Sequence, residues 1–282
     1  MLKILITGST GFIGSNILNK IKVDNKVFLI TRTTSKKKIL KNKNIKLLKF
    51  NNYKTLSNKL KKIKVDIIIH CATHYKKKHK FIDIEKFANS NILLGNIILD
   101  NLDILKPKKF INFSTIWEDS DGFRDNSANL YAAYKKSFNS IIEYYKKKNL
   151  NIKFIDIMIA DTFGKNDTRN KLINTLIRNH KRNKITEIIS KRLFLNLLNV
   201  EDIVSAIEII IKKNIASGKY LLKNSQYLSI YKLINYLNLS RNINIRVKWL
   251  GNALVKNKIL NYKKLKSWKP KKSNIKNIKD LF

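Results

Sequence analysis

One stretch restricts the fold of this chain more than any other: an apolar run from Leu2 to Ile6 passes directly into Thr7-Gly8-Ser9-Thr10-Gly11-Phe12-Ile13-Gly14. Glycines at that spacing, after a strand and before a helix, suit a phosphate-binding turn. Gly8 permits the tight turn, Gly11 lets the backbone approach a pyrophosphate, and Gly14 lets the helix pack closely on the strand. The amides that open the helix would then hold the anion. Thr10, Phe12 and Ile13 lie within the same turn and complete the set expected beside a dinucleotide. Such a glycine pattern is common by chance, so its context matters. Here a helix over Ser15 to Ile21 follows, and a second strand over Lys26 to Thr31 arrives at the spacing of a βαβ unit.

The alternation continues. A polar, lysine-rich stretch from Thr33 to Asn44 precedes a third strand over Ile45 to Phe50, ended by Asn51 and Asn52. A helix over Thr55 to Ile63 leads into the apolar run Val65 to Ala72, the pattern of a parallel strand buried on both faces. Ile84 to Leu105 has helical period, Phe110 to Phe113 reads as a fifth strand, Tyr131 to Lys147 as a long helix and Ile152 to Ile159 as a sixth strand. These elements imply an α/β fold, a Rossmann-type doubly wound parallel sheet. Beyond Asp161 the rhythm weakens into a helix over Lys171 to Asn183, a strand over Leu193 to Asn199, a helix over Val200 to Lys213 and short elements. We expect residues 1–162, with 193–213 returning to them, to form the dinucleotide-binding domain. Residues 163–192 and 214–282 would form a smaller C-terminal α/β substrate-binding domain. In such sheets ligands bind outside the carboxyl ends of the strands.

Composition narrows the class. A chain of 282 residues can bury a large core. Its single Cys71 excludes an internal disulfide and a multi-cysteine metal site, and no histidine spacing suggests a metal. No apolar stretch is long enough for a bilayer and no leader precedes the first strand, so we expect a cytoplasmic protein without a membrane partner. The formal charge of +40 would by itself suggest a polyanion partner. However, only eight of the 59 basic residues are Arg, and the lysines are scattered through nearly every element. Lys, Asn and Ile are inflated together, which reads as coding bias on tolerant surface positions. Non-specific, salt-sensitive sticking to nucleic acid is expected, and no specific nucleic-acid site.

Chemistry concentrates after the fifth strand. Tyr131 and Lys135 lie four apart at the start of the long helix and share one face. Ser114 and Thr115 end the preceding strand. An ammonium beside a phenol favours the phenolate, lowering a pKa ordinarily about 10. A nearby hydroxyl can hold a carbonyl oxygen. Tyr131 would then act as general acid toward a ketone receiving hydride. Asp202 reads as a helix N-terminal residue, His70 as a packing residue, and His74 and His79 as exposed loop.

These motifs resemble those of the extended short-chain dehydrogenase/reductases, the NAD(P)-dependent sugar-nucleotide epimerase/dehydratase family, over nearly the whole chain. "ITGSTGFIGSNIL" is similar to the family's phosphate turn, "DIIIHCAT" to its fourth strand, "NLYAAYKKSF" to its Tyr-x-x-x-Lys helix, "NVEDIVSAI" to a late strand-to-helix segment and "SWKPKKS" to its C-terminal end. The resemblance implies a bound nicotinamide dinucleotide and chemistry at a sugar carbon, with Thr115, Tyr131, Lys135 and Ser114 catalytic. Asn91, in "ANSNILLGN", matches a helix position that supports the active site, and Lys135 would also hold the ribose. Asn51 or Asn52 would lie near the adenine, and Ala72 and Thr73 near the nicotinamide half. "ADTFGKNDTRNKL" is similar to the CDP-paratose and CDP-abequose synthase-like subgroup, which makes Asp161, Asn166, Asp167 and Arg169 candidate substrate contacts. At the end of the second strand, where NAD-binding members carry an acid, this chain has Thr31-Arg32-Thr33, so NADP is preferred over NAD.

Two departures refine the expectation. Members that dehydrate sugars place Asp-Glu directly after the active-site Thr, where this chain has Ile116 and Trp117, while Glu118 and Asp119 would point elsewhere. Near Gly251 the usual Arg for a substrate diphosphate is absent, leaving Lys256, Lys258 or Arg246. The expected activity is oxidoreduction at C4 of a nucleotide-linked sugar, by a 4-ketoreductase or a 4-epimerase, in a homodimer built on the helices that carry Asn91 and Tyr131. The rival is a non-catalytic use of the fold, binding RNA or a protein.

Overall fold

In the computed structural model, which describes residues 1–32, 42–240 and 242–282, the first strand, β1 (Lys3–Thr7), is buried at every position after its first. That is the pattern of a parallel strand covered on both faces. The glycine turn leads into α1 (Phe12–Ile21) and back to β2 (Lys26–Thr31). Thr33 and most of the lysine-rich stretch lie outside the described residues. β3 (Ile45–Lys49), α2 (Tyr53–Leu60), β4 (Ile67–His70), β5 (Lys109–Thr115) and β6 (Lys153–Ile159) follow the expected alternation. Asn52 starts α2 by accepting the Thr55 amide at 2.9 Å.

The long helix expected over Ile84 to Leu105 is broken into pieces: α3 (Phe81–Phe87), a widened π-helical stretch (Ala88–Leu93), α4 (Leu94–Asp100) and α5 (Leu102–Leu105). The chain then passes through a left-handed Lys106 at φ 49°. After β5 a short 3-10 segment (Ile116–Gly122) precedes α6 (Leu130–Lys148). The remaining elements are β7 (Asp161–Phe163), α7 (Leu172–Lys181), β8 (Thr186–Ile188), β9 (Leu193–Leu195), β10 (Leu197–Asn199), α8 (Val200–Lys212), β11 (Gly218–Leu222), β12 (Leu228–Ser229), α9 (Ile230–Asn238), β13 (Val247–Trp249), β14 (Val255–Lys256) and α10 (Ile275–Lys279).

The main sheet has the order β11-β6-β5-β4-β1-β2-β3, and its pairings are parallel. Strand order reverses between β1 and β4, which puts the crevice for a dinucleotide at their carboxyl ends. Ile17 and Leu18 of α1 with Ile203 and Ile207 of α8 cover one face. Leu56, Ile98, Leu102, Phe138 and Ile142 cover the other. A separate core joins Phe163, Leu176, Leu193, Leu233 and Leu237 in the C-terminal part.

Two further expectations change. Gly218–Leu222, read as part of the smaller C-terminal unit, is the seventh strand of the main sheet and pairs with β6. Its run is too short to declare its sheet, and only the open edge of β6 selects it. The single strand expected over Leu193 to Asn199 is two strands. Asn196 interrupts it, donating to the Asn224 carbonyl at 2.9 Å and accepting the Asn224 amide at 2.8 Å, so β9 pairs with β12 and β14 while β10 pairs with β7. Asp202 is a buried residue of the first turn of α8. Its carboxylate accepts the Lys271 and Lys272 amides at 2.7 and 2.9 Å and the Ser273 hydroxyl at 2.6 Å, fastening the C-terminal segment.

Candidate active site

The glycine turn is tightly packed at Gly8 and Gly14. Gly8 sits at φ +67°, and a Cβ there would come within 2.6 Å of the Ala72 nitrogen. A Cβ on Gly14 would meet the Gly8 oxygen at 2.2 Å, so the opening of α1 lies directly on the turn. Gly11 donates its amide to Gly8 oxygen at 2.9 Å and precedes α1 without offering a side-chain cap, and no acid stands in the first turn. The positive end of α1 is therefore left for an anion. Thr10, Phe12 and Ile13 are carried by the same turn. Thr7 ties the turn to the end of β4: its Oγ1 accepts the Ala72 amide at 3.0 Å and lies 3.0 Å from His70 Nδ1.

His70 is a core residue, as the sequence suggests. It lies against Phe110 and Phe138, and burial, helped by the Lys135 charge, pushes its imidazole down to about 3. Burial pushes the Cys71 thiol up to about 12. Asn51 and Asn52, just beyond β3 and Phe50, lie at the carboxyl end of the sheet. Asn52 is engaged in capping α2, and Asn51 is exposed. Arg32 is exposed at the end of β2, with its guanidinium over the Phe50 and Tyr53 rings at 5.5 and 5.3 Å and hydrogen-bonded to the Tyr53 hydroxyl.

Asn91 is the buried residue of the π-helical stretch. Its Oδ1 accepts the His74 amide at 2.7 Å and the Thr73 hydroxyl at 3.2 Å, and its Nδ2 donates to the His74 carbonyl at 3.1 Å. It thus clamps the loop leaving β4. His74, expected as exposed loop, is half-buried and pairs with Asp83 at 2.9 Å. The Lys80 amide and His74 hold the Asp83 carboxyl below its usual range.

Asn129 caps α6 by accepting the Ala132 amide at 3.0 Å, which sets Tyr131 in the first turn. The Tyr131 ring meets Tyr75 edge-on at 5.0 Å. The expected lowering of this phenol by Lys135 is not what the geometry produces. Burial first, then the Glu118 carboxylate, raises Tyr131 above its usual range, against the pull of Thr73 and Arg169. Lys135 is itself buried, which lowers its ammonium, and the charges opposing that are Glu118, Asp156 and Cys71. Thr115 accepts the Trp117 amide at 3.3 Å. Ser114 points to the other face of β5, where its hydroxyl donates to Asp156 at 2.6 Å. Alternation along the strand separates the two neighbours.

Of the expected substrate contacts, Arg169 lies near enough for its charge to act on the Tyr131 phenol, and Asp161 is linked through Lys171 to Tyr75, the ring beside Tyr131. Arg169 grips Asp167 through two bonds of 2.7 Å and donates to Thr162 Oγ1 at 2.8 Å. Its guanidinium also lies 4.2 Å from the centre of the Phe12 ring, bridging the glycine turn and the C-terminal part. Asp161 pairs with Lys171 at 3.2 Å, and Lys171 sits 4.6 Å over the Tyr75 ring. Asn166 is an exposed turn residue at φ 62°. Arg246 and Lys256 are not drawn in. Arg246 holds Asn183 at 3.4 Å, and Lys256 rests on Tyr227 at 4.3 Å. Arg246 precedes β13, whereas the basic groove in this part of the chain opens past its other end. Lys191, Arg192, Tyr231, Lys232 and Asn252 line that groove, which encloses about 400 Å³.

The sequence reading misses Lys171, Tyr75 and Glu118. Tyr and Lys are too abundant here for the first two to stand out. Glu118, expected to point away, is fully buried behind Tyr131. Its signal was present in retrospect, since it lies three residues after Thr115 and accepts that residue's amide at 3.3 Å, closing the 3-10 turn.

Residues 4–222 match the NAD dependent epimerase/dehydratase family. The chain is 27% identical over 232 residues to a CDP-abequose synthase of Yersinia pseudotuberculosis, covering 82% of this chain and 78% of that one. It is 30% identical over 258 residues to a dTDP-D-glucose 4,6-dehydratase of Dictyostelium discoideum, covering 77% of this chain and 57% of that longer one. The fold is that of the UDP-glucuronic acid 4-epimerase of Bacillus cereus, solved with UDP-glucuronic acid and NAD, with a TM-score of 0.80 at 18% identity over all of both chains. The family match takes in the glycine turn and the Tyr131–Lys135 helix alike, and the chain accordingly belongs to the NAD-dependent epimerase/dehydratase family of enzymes.

Proposed function

We propose that this protein is an NAD(P)-dependent oxidoreductase acting at C4 of a nucleotide-linked sugar, as a 4-ketoreductase or a 4-epimerase. The observation that carries the reading is the Tyr131–Lys135 face of α6, with the Tyr131 ring set against Tyr75 of the loop that leaves β4. A nicotinamide dinucleotide, when bound, supplies or accepts the hydride. The crowding at Gly8 and Gly14 and the open start of α1 fit its pyrophosphate. Tyr131 keeps its proton in this surrounding and is suited to deliver it to a ketone oxygen. Thr115 orients that oxygen, Lys135 meets the ribose, and Asn91 holds the Thr73 loop in place. Asp161, Asn166 and Arg169 face the sugar nucleotide, with Lys171 added to their number. The basic groove of Lys191 and Arg192 offers the charge for a diphosphate that Arg246 and Lys256 do not bring.

Elimination of water finds little support. Ile116 is packed with Met158, Ala160 and Leu221, and no acid stands at either position after Thr115. Arg32, with no carboxylate at the end of β2, favours NADP. The homodimer belongs to the same reading, and Phe81 and Ile82 at the start of α3 are exposed; a single-chain mass in sedimentation would remove it. Tyr131→Phe is expected to lower kcat by about 10² to 10⁴ with dinucleotide affinity retained, and full turnover by that variant would overturn the mechanism. Denaturing the purified protein separates the two activities. An epimerase releases a retained dinucleotide, whereas a ketoreductase exchanges it each turnover and releases little.

A further inference from the structure

Tyr131, Lys135 and Asn139 are spaced by four along α6 and share one face. Behind that face lies a buried charge layer that no motif announces. Glu118, fully buried, accepts Asn139 Nδ2 and Lys219 Nζ at 2.8 Å each through Oε2, and the Thr115 amide at 3.3 Å through Oε1. Its carboxylate therefore touches both elements that carry the proposed catalytic groups: the end of β5 through Thr115 and helix α6 through Asn139. The charged and titratable groups facing it are Lys219 from β11, Asp156 from β6, Lys135 and Tyr131 from α6, and Tyr262 from the C-terminal segment. Asp156 lies 3.9 Å from the same Lys219 ammonium. Two carboxylates thus stand against the buried Lys135 and the half-buried Lys219, a pairing in which buried charges are tolerated.

We propose that Glu118 is a positioning residue of this site: its carboxylate ties Thr115 to the Tyr131–Lys135 face of α6 and supplies the negative charge that balances Lys135. The inference rests on the function proposed above for Tyr131 and Lys135. A neutral side chain of the same shape at residue 118 leaves Lys135 with less counter-charge, so its ammonium loses its proton at a lower pH, and the Tyr131 phenol does likewise. Both changes move the alkaline limb in the same direction.

The test measures dinucleotide affinity, by calorimetry with NADP and with NAD, from pH 6 to pH 10 in wild type, Glu118→Gln, Glu118→Asp and Lys219→Met. It is paired with the pH profile of kcat/KM for ketone reduction. In Glu118→Gln both alkaline limbs are expected to move to lower pH by about one unit, while Glu118→Asp stays near wild type. Lys219→Met, which leaves the carboxylate without its partner, moves the limbs the opposite way and decides the matter if the Gln variant does not fold. A merely structural residue would lower stability and leave the limbs in place, and unchanged limbs in folded Glu118→Gln or Lys219→Met overturn the inference. Failure of the underlying reading looks different: no dinucleotide binds to wild type, or Tyr131→Phe turns over fully.

Discussion

Arg32 shows how one side chain answers to two environments. Its guanidinium is spread over Phe50 and Tyr53, yet it remains exposed at the strand end where a dinucleotide's adenosine ribose is expected. A guanidinium there pairs with a ribose phosphate, and a carboxylate accepts from ribose hydroxyls. Arg32→Asp is therefore expected to shift the ratio of NADP to NAD affinity toward NAD by about 10- to 100-fold, the worth of a charge-assisted hydrogen bond. Titration of both dinucleotides checks this, and an unchanged ratio would assign Arg32 to packing against its two rings. Tyr131 and Lys135 were legible from their spacing because a helix places residues four apart side by side. Their proton affinities were not legible, since these depend on burial and on Glu118, Asp156 and Cys71, which reach the pair only through the fold.

At the scale of elements, local chemistry explains starts and stops. Asn52 and Asn129 cap α2 and α6, and Asn199 caps α8 by accepting the Glu201 amide at 2.9 Å. The π-helical stretch, by contrast, has no local signature. It puts Asn91 against the His74 backbone, and that contact forms only once α4 is packed on the sheet. Asp202 works at the same level. It reads as a helix-start residue and is one, but its carboxylate also receives Lys271, Lys272 and Ser273, while the Trp268 indole donates to its carbonyl at 2.9 Å. Asp202→Ala would leave those donors unmatched in a buried place, at a cost of about 2–4 kcal/mol. Chemical denaturation should show the loss, with Asp202→Asn intermediate. A change below about 0.5 kcal/mol, the level of an ordinary surface substitution, would show that the C-terminal segment is held by other contacts.

Across the whole molecule, a charge of +40 coexists with largely buried carboxylates, Glu118 and Asp156, that face Lys219. Among the described residues most lysines are exposed or half-exposed, where a charge costs little. Binding to a random RNA is accordingly expected to fall by about 10³ or more between 50 and 200 mM salt, as counterion release dictates. Affinity that survives high salt and prefers one sequence would instead favour a nucleic-acid-binding role. Among the described residues no helix is long and apolar enough to cross a membrane and no cluster of side chains suits a metal.

By itself the sequence determined what local geometry controls: the glycine turn, the alternation of strands and helices, and the four-residue spacing of Tyr131 and Lys135. Each depends on a backbone angle or a period that neighbouring residues set. Only the tertiary structure decided that Gly218–Leu222 closes the main sheet, that Arg169 stacks on Phe12 of the glycine turn, and that Glu118 lies buried behind Tyr131. Those pairings join residues from about 13 to 157 positions apart, and they form because packing the sheet leaves one open edge, one uncovered ring and one buried acceptor that a distant residue can satisfy.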